Sequence, residues 1–250
     1  MSEKIGIIIL AGGKGTRMNQ EIPKVLTEIN GVTLIEKLLR NVEKFFDRKE
    51  INIVVGFKGE DVINKLQNRY NFIWQKEQLG TGHAVMQCRE SLEGKYKSIL
   101  ILYGDTPFIT ENTLRNIIEL HEENNYVFSM ITLKLDNFEN TNSLYWKFGR
   151  IIRDENGKVL MIVEFKDATE YEKNVTEVNP AIYCVKDDWL WNNLENIDNN
   201  NFQKEYYLTD LVFLANKQGV SMGTLIVRDN LELMGINSQE DLEIAKKIHN

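Results

Sequence analysis

The sequence predicts a doubly wound α/β domain that carries a smaller β-rich lobe, and three observations predict it. Short β-rich runs alternate with helical periodicity through the first half of the chain. The first run, Ile5–Leu10 (IGIIIL), is apolar apart from one glycine, as a strand buried on both faces of a parallel sheet must be. From residue 127 the alternation gives way to successive strand-like runs. The 250 residues are enough for one large domain or for a main domain with a lobe.

Taken in order, Ile5–Leu10 feeds a glycine-rich turn, and residues 33–46 carry Leu34, Ile35, Leu38, Leu39, Val42 and Phe45 at the spacing of an amphipathic helix. Ile51–Val55 is a predicted strand, 60–68 a helix, 72–75 a short strand and 84–91 a helix. Ser98–Tyr103 and Glu111–Glu123 repeat the strand–helix pair. Such alternation makes βαβ units, with helices covering both faces of a parallel sheet. Beyond it, 127–135, Gly149–Arg153, 159–165 and 175–185 read as strands, the second and third joined by the DENG turn at 154–157. Helices resume after Asp187: 208–217 is a helix, 220–227 a strand, and 238–249 a last helix opened by Ser238 and Asp241.

Thirty Lys and Arg against 37 Asp and Glu leave a net charge of −7. That balance excludes a general nucleic-acid binder, whose affinity comes from clustered cations, and an anionic ligand needs positive charge gathered locally. The N-terminal apolar run is too short for a secretory segment or a bilayer span, so the expectation is a cytoplasmic protein without membrane or nucleic-acid partners. Cys88 and Cys184 match no metal or redox spacing and read as buried thiols in a reducing compartment.

The turn after the first strand, LAGGKGTRM at 10–18, has Gly12, Gly13 and Gly15 to bring the backbone close to a ligand and Lys14 and Arg17 to add charge, which suits a phosphate. It is neither a Walker loop, for want of G-x-x-x-x-G-K-[ST], nor a dinucleotide fingerprint, since Met18 stands where the third glycine belongs. By itself it reads equally as a tight turn with solvated cations. Asp105, just past an apolar strand, sits where open α/β sheets place ligands and suits a hard cation such as Mg²⁺, yet taken alone an Asp in a GDTP turn is more often a helix cap or turn former. Gln75 and the Gly80–His83 turn precede a helix, where amides can read a base edge, and His83 is given a structural role.

LAGGKGTRM followed by PKVL resembles the sugar-1-phosphate nucleotidyltransferases, and within them the uridylyltransferase domains of the bifunctional bacterial enzymes that make UDP-N-acetylglucosamine. QKEQLGTGHAV at 75–85, LYGDTP at 102–107, FGRI at 148–151, IVEFKDAT at 162–169, EYYLTD at 205–210 and GIN at 235–237 follow in that family's order. The resemblance implies a Rossmann-like doubly wound, mainly parallel mixed sheet, with a nucleotide-binding core at about 1–126 and 186–250 and a sugar-binding lobe at about 127–185. It implies nucleotide contacts from Leu10, Ala11, Gly12, Gly13, Lys14, Gln75, Gly80, Thr81, Tyr103 and Gly104, with Gln75, Gly80 and Thr81 on uracil. Gly149, Glu164 and Asn179 match the sugar positions, and Asp105 and Asn237 the Mg²⁺ positions. Lys166, two residues past Glu164 and so on one strand face, is an added candidate for the sugar phosphate, or else an exposed edge lysine. Arg17, Lys24 and Asp105 would carry catalysis.

The activity implied is transfer of UMP from UTP to N-acetylglucosamine-1-phosphate with release of pyrophosphate. Rival expectations are glucose-1-phosphate or dTTP as substrate, and a catalytically silent module of the same fold. One departure bears on the sugar: the family continues its sugar-binding Asn with Thr-Gly or Ser-Gly, whereas here Asn179 is followed by Pro180 and Ala181. No room is seen after Asn250 for the β-helix acetyltransferase of the bifunctional enzymes, so no acetyl transfer is expected, and the oligomeric state is left open.

Overall fold

The computed structural model describes residues 4–15, 18 and 21–248. β1 (Ile5–Leu10) is buried along its whole length, which explains its unbroken apolar sequence. After the glycine turn, β2 (Glu28–Ile29) and β3 (Val32–Thr33) form a hairpin that was not anticipated. Its turn is Asn30–Gly31, with φ of 55° and 74°, the residue pair such turns favour. Thr33 also caps α1 (Leu34–Val42): its hydroxyl accepts from the Glu36 N–H while the Glu36 carboxylate accepts from the Thr33 N–H. The helix stops four residues short of the expected span, but Phe46 still packs into the core through the turns that follow.

β4 (Ile51–Val55), α2 (Gly59–Leu66) and β5 (Asn71–Trp74) come next. The expected helix at 84–91 is two short ones, α3 (Thr81–Met86) and α4 (Arg89–Leu92), with the chain tightening between them at Cys88. β6 (Ser98–Tyr103) and α5 (Glu111–Glu123) fall where the sequence puts them. Among the described residues the strands of this half run β5-β4-β1-β6, all parallel. The chain thus moves outward from β1 to β5 and returns to the other side of β1. That reversal opens a crevice at the carboxyl ends of β1 and β6, where Leu10 pairs with Tyr103.

In the second half, β7 (Phe128–Lys134) is the branch point, and β8 (Gly149–Arg153) and β9 (Val159–Val163) form an antiparallel hairpin. After the short α6 (Glu170–Lys173), the expected single strand at 175–185 is two, β10 (Glu177–Asn179) and β11 (Tyr183–Lys186). Both lie antiparallel along one edge of β7, interrupted where Pro180 has no N–H to give and Ala181 adopts φ of 62°. Asn179 stabilises the bend, its Oδ1 accepting from the Ala181 N–H at 3.0 Å. The bend divides the sheet's loyalties: β11 pairs with β6 of the parallel half, and β10 with β8 of the lobe. α7 (Asp187–Leu194), α8 (Asp210–Lys217), β12 (Met222–Val227) and α9 (Gln239–Ile248) complete the chain, β12 lying parallel to β7 on its free edge.

Helices cover both faces. Ile35 and Leu38 of α1, Val62 of α2 and Leu114 of α5 pack with Ile7 and Ile9 on one side. Val85 of α3, Leu92 of α4, Leu190 of α7 and Leu211 of α8 pack with Ile8 and Ile101 on the other. α9 closes a third cluster through Leu242 and Ala245 against Met18, Ile29 and Met234. Cys88 and Cys184 are buried free thiols, and burial pushes both well above the usual thiol range. No helix among the described residues is long and apolar enough to cross a membrane.

Candidate active site

The crevice beside β1 is the mouth of a cleft of about 650 Å³. Its floor begins with the glycine turn, which leaves β1 and is pinned to the neighbouring strands: the Ala11 N–H donates to Val54 O at 2.8 Å and the Gly104 N–H to Leu10 O at 2.9 Å. Gly12 is pressed against the chain after β4, where an added Cβ would stand 3.2 Å from the Gly56 nitrogen. Its carbonyl accepts from Gln78 Nε2 at 2.9 Å. Lys14 reaches the cleft wall. Arg17 lies outside the described residues.

On the adjoining wall, Gln75 is buried just past β5, its Nε2 3.0 Å from Gly80 O and 3.1 Å from His83 Nδ1. Gly80 opens α3 at φ of 112°, and a Cβ there would meet the Tyr206 backbone oxygen at 2.6 Å, so no other residue fits. The Thr81 hydroxyl accepts from the Leu208 N–H at 3.0 Å, tying this wall to the EYYLTD segment.

Asp105 follows β6, as the sequence placed it. Its carbonyl accepts from the Ile236 N–H at 2.9 Å, which brings Asn237 across from the far end of the chain. The side chains of Asp105 and Asn237 converge on a single cation, the Lys24 ammonium, which forms an ion pair with Asp105 and donates to Asn237 Oδ1 at 3.0 Å. Two oxygen ligands already aimed at one positive charge suit a divalent cation. Among the described residues no cluster of three or more His, Cys, Asp or Glu side chains could hold a metal alone. A Mg²⁺ here would complete its shell with phosphate oxygens and water, as this ion prefers.

The lobe supplies the opposite wall. Gly149 opens β8, and Asn179 ends β10 with its Nδ2 donating to Tyr183 Oη at 2.7 Å. Glu164 Oε1 accepts from Thr209 Oγ1 at 3.1 Å. Burial raises the Glu164 carboxyl, the Thr209 hydrogen bond opposes this, and Asp210, Asp167 and Glu205 add to the rise. Tyr103, under the same wall, is likewise raised by burial.

Lys166 is the site residue that the fold sets aside. The strand expected over 159–165 ends at Val163, and the Asp167 and Ala168 N–H groups both bond Glu164 O, at 2.9 and 3.0 Å. Residues 164–168 are therefore a helical turn, the two-residue alternation fails, and Lys166 points to the surface with its Nζ 6.0 Å from the Phe202 ring centroid. It does not line the cleft, whereas Lys147, which the sequence reading passed over, does. Gln78 was also missed, though its place three residues after Gln75 in a glycine-flanked motif was the available signal. Nothing in the local pattern marked Lys147.

A family model described as the MobA-like NTP transferase domain matches residues 7–136. The bifunctional protein GlmU of Caldicellulosiruptor saccharolyticus is 41% identical over 248 residues, covering 99% of this chain and 52% of that protein. GlmU of Streptococcus thermophilus is 41% identical over 241 residues, 96% of this chain and 51% of that protein. The chain spans about half the length of the curated relatives it matches. Among solved structures, a putative glucose-1-phosphate thymidylyltransferase from Bacillus anthracis superposes with a TM-score of 0.73 at 17% identity, over 98% of this chain and 94% of that one. HddC from Yersinia pseudotuberculosis gives 0.69 at 19% identity, over 99% and 100%. At these identities the superpositions establish the fold alone. The family match takes in the glycine turn, the Gln75 wall and Asp105, more than half of the chain, and the chain belongs to the MobA-like NTP transferase family.

Proposed function

We propose that the chain is a uridylyltransferase that moves UMP from UTP to N-acetylglucosamine-1-phosphate with release of pyrophosphate. The observation that carries this reading is the arrangement of one cleft, in which the glycine turn, the Gln75 wall, the Asp105–Asn237 pair and the lobe residues Gly149, Glu164 and Asn179 face a common space. The GlmU relatives support the coarser part of this reading, a sugar-phosphate nucleotidyltransferase.

In this reading Gly12, Gly13 and Lys14 hold the triphosphate, with Leu10, Ala11, Tyr103 and Gly104 at its base and Gln75, Gly80 and Thr81 on the uracil. A sugar-phosphate oxygen attacks the α-phosphorus in line, and the bond to the bridging oxygen of the β-phosphate breaks, releasing pyrophosphate. The attacking oxygen is already anionic, so catalysis is positioning and charge neutralisation and needs no general base. Arg17 steadies the leaving pyrophosphate. Lys24 leaves its place between Asp105 and Asn237 for the phosphates at the reacting centre. Asp105 and Asn237 would hold Mg²⁺, whose chemistry there would be to neutralise phosphate charge at the reacting centre.

Pyrophosphate release should be fastest with UTP and N-acetylglucosamine-1-phosphate in a panel that includes dTTP, CTP, GTP and glucose-1-phosphate. Asp105→Ala should lower it at least about a thousandfold with the fold retained. Release from none of the pairs, or an unimpaired Asp105→Ala, overturns the proposal. One observation favours a second reading: Pro180 has no N–H to offer a sugar substituent, and glucose-1-phosphate would then be turned over best.

A further inference from the structure

The proposed uridylyl transfer makes no use of His83, yet its ring touches the residue best placed to read the base. Gln75 Nε2 lies 3.0 Å from Gly80 O and 3.1 Å from His83 Nδ1. A carbonyl oxygen can only accept, so the amide nitrogen is the end of Gln75 that faces Gly80, and its second hydrogen points at Nδ1. Nδ1 is then the bare nitrogen, and the ring proton belongs on Nε2. Gln87 Nε2, 3.2 Å from that nitrogen and 3.1 Å from His83 O, would set a second donor against it, so the half-buried Gln87 carboxamide must turn its oxygen to the ring. The buried Gln75 is held by Gly80 and lacks that freedom. With both amide hydrogens committed, Oε1 is what Gln75 has left to offer. It stands beside Gly12, 3.3 Å from where a Cβ on that glycine would be, and has no hydrogen-bond partner among the described residues.

We propose that His83 is a positioning residue for nucleotide selection: with Gly80 it fixes the Gln75 carboxamide oxygen outward, so that the cleft takes a base presenting a ring N–H at that point and rejects one presenting a bare ring nitrogen. Uracil and thymine present N3–H; cytosine presents an unprotonated N3. Turned the other way, the carboxamide would offer an N–H and favour cytosine, at the cost of placing its oxygen against Gly80 O. The bond to His83 holds the amide against the smaller rotations that blur this polarity, because a second fixed acceptor leaves the group one orientation. The inference rests on the uridylyl-transfer reading and deepens it, since it assigns the choice between pyrimidines to a residue beyond contact with the base.

The test compares wild type, His83→Leu and His83→Asn with UTP and CTP. His83→Leu removes the acceptor, and should raise the KM for UTP about tenfold and narrow the kcat/KM preference for UTP over CTP about tenfold. The KM for the sugar phosphate should stay within about twofold. His83→Asn, whose Oδ1 takes the place of Nδ1, should keep the preference within about threefold of wild type. A folded His83→Leu with the wild-type preference overturns the proposal. Should that variant not fold, nitrogen NMR of the wild-type imidazole decides: a proton on Nε2 supports the proposal, and a proton on Nδ1 overturns it. Failure of the parent reading is seen elsewhere, as a wild-type protein that releases no pyrophosphate from either nucleotide, and binding of UDP against CDP then carries the same comparison for His83.

Discussion

At Ala181 a methyl group is carried through a left-handed backbone conformation at φ of 62°. That conformation costs an L-residue about 1–2 kcal/mol, partly offset by the entropy a glycine would lose on folding. Ala181→Gly should therefore raise stability by about 0.5–1 kcal/mol in urea unfolding. Asp210 poses a different strain. Burial, with Asp198 and Asp167 nearby, lifts its pKa from 3.8 to about 6. A carboxyl raised on folding stabilises the native state most below its unfolded pKa, and that contribution is lost as pH rises to about 6. Asp210→Asn should thus match wild type in thermal stability near pH 4 and exceed it above pH 7. Because the group is partly exposed, the gain should be on the order of 1–2 kcal/mol rather than the full value of the shift. Neither effect can be read in the sequence. The first depends on the sharpness of a bend, and the second on carboxylates from separate segments meeting behind Glu164.

Among the elements, α1 illustrates what local sequence settles. Leu34, Ile35, Leu38, Leu39 and Val42 are all buried, at roughly 1.5–3 kcal/mol each, which outweighs the cap at its start. Thr33→Ala, which removes the capping box, should cost about 1 kcal/mol in thermal or urea unfolding without unfolding the protein. The amphipathic stripe was legible; the cap was not read, since residue 33 was taken as helical, and neither was the early stop after Val42, because Phe45 and Phe46 reach the core from turns as well as they would from a helix. The same physics explains the larger misreadings. Residues 175–185 are β-rich throughout, and the interruption comes from one missing N–H at Pro180 and from two different partner strands, β6 and β8. Glu164 and Lys166 looked like neighbours on a strand face until the Glu164 carbonyl, capturing two N–H groups, turned the chain.

For the whole molecule, β1 is the strand on which both faces and the cleft depend. Ile8 is fully buried against α3, α7 and α8, so Ile8→Ala should lower the unfolding free energy by about 3 kcal/mol, whereas Ile226→Ala on the half-exposed β12 should change it by less than about 0.5 kcal/mol. The net charge of −7 gains meaning at this scale, since Lys14, Lys24 and Lys147 gather at one cleft in an otherwise acidic protein. The sequence by itself determined the alternating α/β order, the parallel first half, the glycine turn at the end of β1 and the place of Asp105, because each follows from hydrophobic period and residue type over a few neighbours. Only the tertiary structure decided that Asn237 and Lys24 meet at Asp105, that Lys147 rather than Lys166 faces the cleft, and that His83 holds Gln75. Those outcomes turn on contacts between distant segments, where the direction of a single carbonyl or the register of a bend fixes which side chain faces inward.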